Sequence, residues 1–169
     1  LHGKRLLEFI KNFRDHSLNK WVGLNLEGNN IDSYDLQELN ALFQSMINLS
    51  WLNLSCNFTP SMKYLDIELA NLLKIPRLNY IGLRGNIKKN LKEKKIKDND
   101  IKGKKKISKQ TMLSFISSLN ELTHPIGLDL RYNDLDDEAI IKLGKAAEKD
   151  KISELLLDCD SIDDSESLI

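Results

Sequence analysis

The stretch GLDLRYNDLDDEAI, residues 127–140, carries a spacing of apolar residues that recurs along the chain. It reads Leu128-x-Leu130-x-x-Asn133-x-Leu135. Four more copies of this spacing are present, and their first apolar residues are Leu24, Leu52, Ile81 and Leu155. The copies are separated by 28 residues (24 to 52), 29 (52 to 81), 47 (81 to 128) and 27 (128 to 155). Five copies at nearly one period indicate an internal repeat rather than a chance spacing.

Each copy fits a nine-residue pattern, LxxLxLxxN, with some substitutions. Position one is occupied in turn by Trp21, Leu49, Leu78, Pro125 and Ile152, and position nine by Asn29, Asn57, Asn86, Asn133 and Asp160. An Asn that faces inward at position nine can bond backbone groups of its own and of the adjacent copy, which would otherwise be buried without partners. Asp160 can accept hydrogen bonds but cannot donate them, so the fifth copy is expected to be the weakest.

The segments between the copies have helical periodicity. Their apolar stripes are Leu36, Leu39, Leu42, Phe43 and Met46; Leu65, Leu69, Leu72 and Leu73; Leu113, Ile116 and Leu119; and Ile140, Leu143 and Ala147. Thr59 can cap a helix that has Pro60 at its first position, Ser33 and Ser108 stand in comparable places, and residues 136–137 begin the fourth helix. A similar stripe near the N-terminus predicts the helix of an earlier, incomplete unit: Leu6, Leu7, Ile10 and Phe13.

One unit of this chain is therefore a short strand, a turn and a helix. A single unit is too small to bury its own apolar face, but stacked units bury a continuous core. The sequence predicts an α/β solenoid with a parallel sheet on the concave face, helices on the convex face and the leucines between them. Residues 1–169 are predicted to form a single domain of about five repeats.

The motif and its period resemble the leucine-rich repeat proteins. The usual spacing of 27 to 29 residues, with a full helix in each unit, is similar to the ribonuclease-inhibitor-like subclass. The resemblance covers about residues 3–169 apart from one insertion, and it implies a horseshoe-shaped solenoid. Members of that subclass are mostly protein-binding scaffolds, so the resemblance also implies a role in protein–protein interaction.

The insertion explains the long third spacing. It covers residues 88–106, from Lys88 to Lys106, and ten of its nineteen residues are Lys. An insertion in a stack of repeats maps to a loop. The simpler interpretation is a solvated loop; the alternative is an electrostatic arm that binds nucleic acid, an anionic membrane or an acidic partner. The arm contains no aromatic residue to stack on bases and no Arg for bidentate phosphate contacts.

Composition and motifs argue against a membrane protein and against an enzyme. No apolar run reaches the roughly 18 to 20 residues needed to span a bilayer. The chain has no phosphate-binding loop, HExxH or CxxC motif, so we expect no catalysis, no cofactor, no metal site and no small-molecule substrate. Cys56 and Cys159 occupy equivalent positions three strands apart, about 14 Å, which is beyond disulfide reach. A reducing, intracellular and cytoplasmic location is the expectation.

Strand alternation predicts which residues meet a partner. If the leucines point into the core, positions three, five and seven face the concave surface. Trp, Tyr and Arg are frequent at interface hot spots, and they cluster over the second to fourth strands. The candidate partner-binding residues, which include position eight of the fourth copy, are Trp51, Asn53, Tyr80, Arg84, Asp129, Arg131 and Tyr132.

The sequence therefore predicts a scaffold that binds a protein partner through its concave face. One alternative is the Lys-rich arm as an anchor to nucleic acid or membrane. A second is a targeting fragment of a larger bacterial effector, which would act in the cytosol of a host cell. The chain starts without Met, and residues 162–169 align with the start of a helix, so the natural protein is expected to extend beyond this sequence.

Overall fold

The computed structural model describes residues 20–85, 106–133 and 135–158, together with Glu8 and Asn12. These residues form an α/β structure with a parallel sheet of five strands. In chain order the elements are β1 (Gly23–Asn25), α1 (Ser33–Phe43), β2 (Trp51–Asn53), α2 (Leu65–Leu72), β3 (Tyr80–Gly82), α3 (Lys109–Ser118), a 3₁₀ turn (Leu119–Glu121), β4 (Ile126–Asp129), α4 (Asp137–Glu148) and β5 (Ile152–Leu156). Every helix within these ranges is too short or too polar to cross a lipid bilayer.

The strands lie in the sheet in the same order as in the chain, β1-β2-β3-β4-β5, and all neighbours are parallel. Their register places the aligned apolar residues side by side: Leu24, Leu52, Ile81, Leu128 and Leu155. The helices contact one another in the same order, α1 with α2, α2 with α3 and α3 with α4. They therefore form a second layer on one face of the sheet.

The core lies between these two layers. The leucine and isoleucine side chains of the strands and the helix stripes meet there, and Leu52, Ile81 and Leu128 are completely buried or nearly so. Leu65, Leu69 and Leu72 on α2, and Leu36 and Leu39 on α1, are buried against them. The expected stripes on α1, α2 and α3 thus supply the helix side of the core.

The stripe predicted on α4 is correct at Leu143 and wrong at Ile140 and Ala147. Ala139, Leu143 and Ala146 are the buried residues of this helix, whereas Ala147 is exposed and Ile140 is only half-buried. Both sets fit a period of 3.6 residues around Leu143, so periodicity alone does not distinguish them. Two alanines give little apolar signal, which is why the sequence pattern favours the larger Ile140.

Position one of the fourth copy is also displaced. Pro125 is exposed, and Ile126 is the residue buried in the core at that level. The reason is a register shift between β4 and β5, in which Ile126 pairs with Ile152 but Gly127 pairs with Glu154. Between these two pairs β5 has one residue more than β4, and this shifts which residues of the two strands lie opposite each other at their start.

Three of the four helices described begin at a side-chain cap. The Ser108 hydroxyl accepts from the Thr111 N–H, as expected, and the Asp136 carboxylate accepts from the Ala139 N–H. The cap of α1 is Asp32 rather than Ser33, which is the first helical residue. Asp32 and Asp35 form a reciprocal capping box.

The predicted cap at Thr59 is wrong. The Thr59 carbonyl accepts from the Met62 N–H at 3.2 Å, so this segment forms a turn instead of a helix. Helix α2 begins later, at Leu65, after Tyr64, whose φ is 61°. A left-handed residue at that point breaks the helical path that Pro60 was expected to start.

Asn57 bridges two neighbouring strand–helix units. Its Nδ2 donates to the carbonyl of Leu54 at 2.8 Å and to the carbonyl of Leu26, one unit earlier, at 2.9 Å. Its Oδ1 accepts from the Ile31 N–H at 3.2 Å. The side chain is 1% exposed. One amide therefore pairs three backbone groups that would otherwise be buried without partners.

Asn133 makes the same set of bonds two strands further on. Its Nδ2 donates to the carbonyls of Leu83 and Leu130 at 2.8 and 3.1 Å, and its Oδ1 accepts from the Ile107 N–H at 3.0 Å. Asn29, in the first unit, is half-buried and donates to the Glu27 carbonyl. The predicted inward role of position nine is thus present at Asn57 and Asn133.

Several predictions concern residues outside the described ranges. They are the N-terminal stripe Leu6, Leu7, Ile10 and Phe13, the Lys-rich insertion except Lys106, the position-nine residues Asn86 and Asp160, Cys159, and the last helix start at residues 162–169. Each of them stays a prediction from the sequence.

Asn57→Ala is expected to lower the free energy of unfolding by about 3 kcal/mol or more. The substitution leaves two carbonyls and one N–H buried without partners, and each such group costs about 1–3 kcal/mol. Asn120→Ala is the control, because Asn120 is exposed and donates to the nearby Ser117 carbonyl, and about 1 kcal/mol or less is expected there. Urea unfolding of both variants measures the difference, and equal losses would contradict the role given to Asn57.

Candidate functional site

The face of the sheet opposite the helices is called the open face here, and it is formed by positions three, five and seven of the five copies. These residues are Gly23, Asn25, Glu27, Trp51, Asn53, Ser55, Tyr80, Gly82, Arg84, Gly127, Asp129, Arg131, Glu154, Leu156 and Asp158. Six of the seven candidate partner-binding residues belong to it, and Tyr132 follows Arg131 at its edge. The structure therefore brings these six residues together on one side of the sheet.

Two aromatic rings stand at the centre of the open face. The rings of Trp51 and Tyr80 stack with their centroids 5.8 Å apart and their planes 8° from parallel. The strands β2 and β3 hold them in register. Trp51 is 37% exposed and Tyr80 is half-buried, so the pair presents apolar area to solvent from a fixed position.

Glycines flank the aromatic pair on both sides. A Cβ on Gly127 would lie 2.9 Å from Cδ2 of Tyr80, and a Cβ on Gly23 would lie 3.4 Å from Cε3 of Trp51. Tyr80 thus occupies space over Gly127 that any other residue there would need. The two glycines therefore leave room for the rings beside the backbone of the neighbouring strands, β1 and β4.

Position five closes the ends of β1, β2 and β4 rather than facing a partner. The side-chain oxygens of Asn25, Asn53 and Asp129 accept the backbone N–H of position seven in the same unit, at 3.1, 3.0 and 3.2 Å. Short Asn and Asp side chains favour this local turn. Asn53 and Asp129, both predicted to bind a partner, therefore have structural contacts, and Asp129 is only 5% exposed.

The guanidinium of Arg131 is paired with Asp129 in a bidentate arrangement. Nε donates to Oδ1 at 2.9 Å and Nη2 donates to Oδ2 at 2.7 Å. The hydrogen bonds that Arg131 donates to Asp129 raise the pKa of Arg131 above its ordinary value, which burial alone would lower. The Arg131 side chain remains 37% exposed, so part of its guanidinium still faces solvent.

Arg84 is paired across two strands with Glu27. Nη2 of Arg84 lies 2.5 Å from Oε1 of Glu27, and Ser55 in the unit between them accepts the Arg84 N–H at 3.1 Å. Burial is the largest single effect and lowers the pKa of Arg84, but the hydrogen bond and the charge of Glu27, with smaller effects of other negative groups, together raise the pKa above its ordinary value. Asn53 also donates to Glu27, through Nδ2 at 3.2 Å.

Glu27 is the open-face residue that sequence reasoning misses. It contacts Asn53 and Arg84, which are both candidates, and lies within 3.7 Å of the Cys56 sulfur. The available signal is its place at position seven, the same position as Arg84 two copies later. Opposite charges at equivalent positions of nearby strands favour an ion pair.

Tyr132 lies at the edge of the open face, where the strand has ended. Its φ is 59°, and its N–H donates to the carboxylate of Asp158. Position eight has positive φ also at Gly28 and Cys56, at 71° and 59°. The turn thus recurs, and at Tyr132 it carries an aromatic side chain that is 43% exposed.

A separate cleft of about 420 Å³ lies at the other edge, between the ends of α2 and α3 and the turns that follow them. His124 lines it, with Nε2 2.9 Å from the Leu78 carbonyl and Nδ1 3.4 Å from the Thr123 hydroxyl. The first contact requires a proton on Nε2, so this ring links two units. In the described ranges, no group of three or more His, Cys, Asp or Glu is arranged to hold a metal ion.

Comparison of the chain with models of protein families, with curated proteins and with solved structures gives no match. The chemistry of the open face is therefore the basis for a functional conclusion. That chemistry consists of an exposed aromatic pair, two arginines held by acids, and a backbone fixed by side-chain caps.

Gly127→Ala is expected to displace the Tyr80 ring, because the new methyl group would lie 2.9 Å from Cδ2. Overpacking of this kind costs about 1–3 kcal/mol of stability. Near-ultraviolet circular dichroism should also show a weaker aromatic signal as the stack with Trp51 loosens. Gly23→Ala, with 3.4 Å to the Trp51 ring, is the milder control. If both variants keep the stability and the near-ultraviolet signal of the unchanged protein, the position of the Tyr80 ring does not depend on Gly127.

Proposed function

We propose that the chain is a leucine-rich repeat solenoid that serves as a protein-binding scaffold. Three observations support the solenoid: the sequential parallel strands, the common register of the motif positions, and the Asn bridges between adjacent units. In such a stack helices need more room than strands, so the sheet lines the concave side of a horseshoe. The open face is then the concave face.

The observation that carries the binding role is the exposed Trp51–Tyr80 stack. Large aromatic side chains at the middle of a surface are the groups most often found as interface hot spots. The stack fixes both rings before a partner arrives, and this preorganisation reduces the entropy that binding costs. Neither ring is needed to fill the core, since the leucines on the opposite side of the strands do that.

The other candidate residues divide into contacts and supports. Arg131 and Tyr132 are partly exposed in the unit after Tyr80 and are assigned as contacts. Asn53, Arg84 and Asp129 are assigned as supports, because their side chains cap the backbone or pair with other open-face side chains. This division follows from hydrogen bonds that the sequence does not reveal.

We assign binding rather than catalysis for the same reason. Within the described part of the open face, the polar side chains at position five are occupied by the backbone and both arginines by carboxylates. General acid–base or nucleophilic catalysis needs a side chain aimed at a substrate. An intracellular, cytoplasmic location belongs to this proposal.

Trp51→Ala and Arg131→Ala are each expected to weaken binding of a captured protein partner by at least about tenfold, the scale of a hot-spot residue. Capture from a lysate, followed by calorimetry with each purified partner, measures the loss. Ile141→Ala is the matched control, because Ile141 is 56% exposed but lies on α4 in the helix layer. A partner that binds both open-face variants as tightly as this control contradicts the proposal.

The same experiment separates the Lys-rich arm from the open face. Binding through an electrostatic arm weakens steeply with salt and disappears when residues 88–105 are deleted. Binding through the open face is expected to persist in the deletion variant and to depend on Trp51. Loss of all binding in the deletion variant alone would assign the function to the arm.

A further inference from the structure

The open face has more negative than positive charge. Its described side chains include four carboxylates, Glu27, Asp129, Glu154 and Asp158, and two guanidinium groups, Arg84 and Arg131. Four negative and two positive charges leave a net charge of −2. Both arginines are already paired, with Glu27 and with Asp129. The two positive charges of this surface are therefore neutralised within the protein.

The surplus charge belongs to the last described strand and the residues after it. Among the described residues, the exposed Glu154 side chain has no hydrogen bond or ion pair, and the Asp158 carboxylate accepts the Tyr132 N–H. The charge of the Asp158 carboxylate is thus not neutralised by this hydrogen bond, because its partner is a backbone N–H. An incoming cation can pair with either carboxylate without displacing an existing ion pair.

Glu154 on β5 is separated from Tyr80 on β3 by one strand, β4, which carries Gly127 at this level. Gly127 pairs with Tyr80 on one side and with Glu154 on the other. Because Gly127 has no side chain, the Tyr80 ring and the Glu154 side chain are the two side chains that border the surface above it. Cβ of Glu154 lies 3.5 Å from the place that a Cβ on residue 127 would occupy. An aromatic ring and a carboxylate on two sides of one position are complementary to an ammonium or guanidinium group.

The electrostatic environment of Tyr80 agrees with this arrangement. Burial, followed by the negative charges of Asp129 and Glu154, raises the pKa of the Tyr80 phenol, while Arg131 and Arg84 oppose the rise. The carboxylates therefore outweigh the arginines at the ring. A cation is favoured here, and a phosphate or another anion is disfavoured.

We propose that the open face binds a segment of another protein that carries a Lys or Arg side chain, and that this side chain lies between the Tyr80 ring and the Glu154 carboxylate. This inference rests on the proposed scaffold function and specifies the chemistry of its partner. Charge complementarity commits the site to a basic peptide segment. Acidic peptides, phosphopeptides and nucleic acids would meet the surplus negative charge and be repelled.

The test uses the full chain and a displayed library of random peptides as the probe. Peptides enriched on the unchanged protein are synthesised and measured by calorimetry against Trp51→Ala, Glu154→Gln and Glu148→Gln. Glu148 is an exposed carboxylate at the end of α4 and serves as the charge-matched control away from the open face. Glu154→Gln keeps the shape of the side chain and removes only its charge.

The expected result is a set of Lys- or Arg-containing peptides that lose binding with Trp51→Ala. Their affinity should fall by about three- to tenfold with Glu154→Gln, the range for one partly exposed charge pair with an aromatic neighbour, and by less than about twofold with Glu148→Gln. A peptide whose basic residue is changed to Glu should recover affinity toward Glu154→Lys. That exchange identifies the pair directly.

Two contrary results have different meanings. Peptides that depend on Trp51 but lack basic residues, or are indifferent to Glu154→Gln, overturn the basic-partner inference and leave the scaffold function in place. Peptides whose binding is unchanged by Trp51→Ala overturn both, since the open face then binds none of them.

Discussion

The side-chain amide at the end of the strand is the interaction on which the rest of this structure depends. The turns after β2 and β4 have backbone groups that point into the protein, where water does not reach them. Asn57 and Asn133 each pair such groups from two successive units with two donors and one acceptor. Leu has no such groups at this position and Asp has no donors. Without this bridge, stacking the leucines would bury unpaired carbonyls and N–H groups, at a cost comparable to the gain from burial.

This constraint also determines what the open face can offer. Leucines at positions four and six turn positions three, five and seven outward, and the tight turn then uses position five for local hydrogen bonds. Few side chains remain for recognition. The Trp51–Tyr80 stack and the Glu154 carboxylate are groups that the scaffold itself does not use. The proposed binding site uses few side chains, because most polar residues of the open face form hydrogen bonds within the fold.

Much of the architecture is predictable, since a constant period places equivalent residues side by side in a parallel stack. The register from Leu24 to Leu155 and the role of Asn57 follow from spacing alone. Helix details are less predictable: alanines on α4 give too weak a signal, and the left-handed Tyr64 removes the start expected at Thr59. Side-chain pairing on the open face is not predictable, because rotamers decide it.

Arg84 and Arg131 show most clearly that the sequence does not predict which side chains pair. Both are candidate partner contacts by sequence, yet each is held by an acid, Glu27 at 57 residues' separation and Asp129 at 2. Spacing brings these groups to one face but does not state which contacts form. Their pairing is what turns the proposal toward a cationic partner. Trp51 and Tyr80, which the sequence places on the same face, stay at the centre of the proposal.

The most direct measurement is nuclear magnetic resonance mapping of the isotope-labelled chain during titration with a basic peptide that it binds. The account predicts that the Trp51 indole N–H and the backbone amides of Tyr80, Gly127 and Glu154 shift together, with one affinity. The outer residues of α1 to α4 should not change. Shifts confined to the helix layer or to residues 88–105, with the Trp51 indole unaffected, would contradict the claim that the open face is the binding surface.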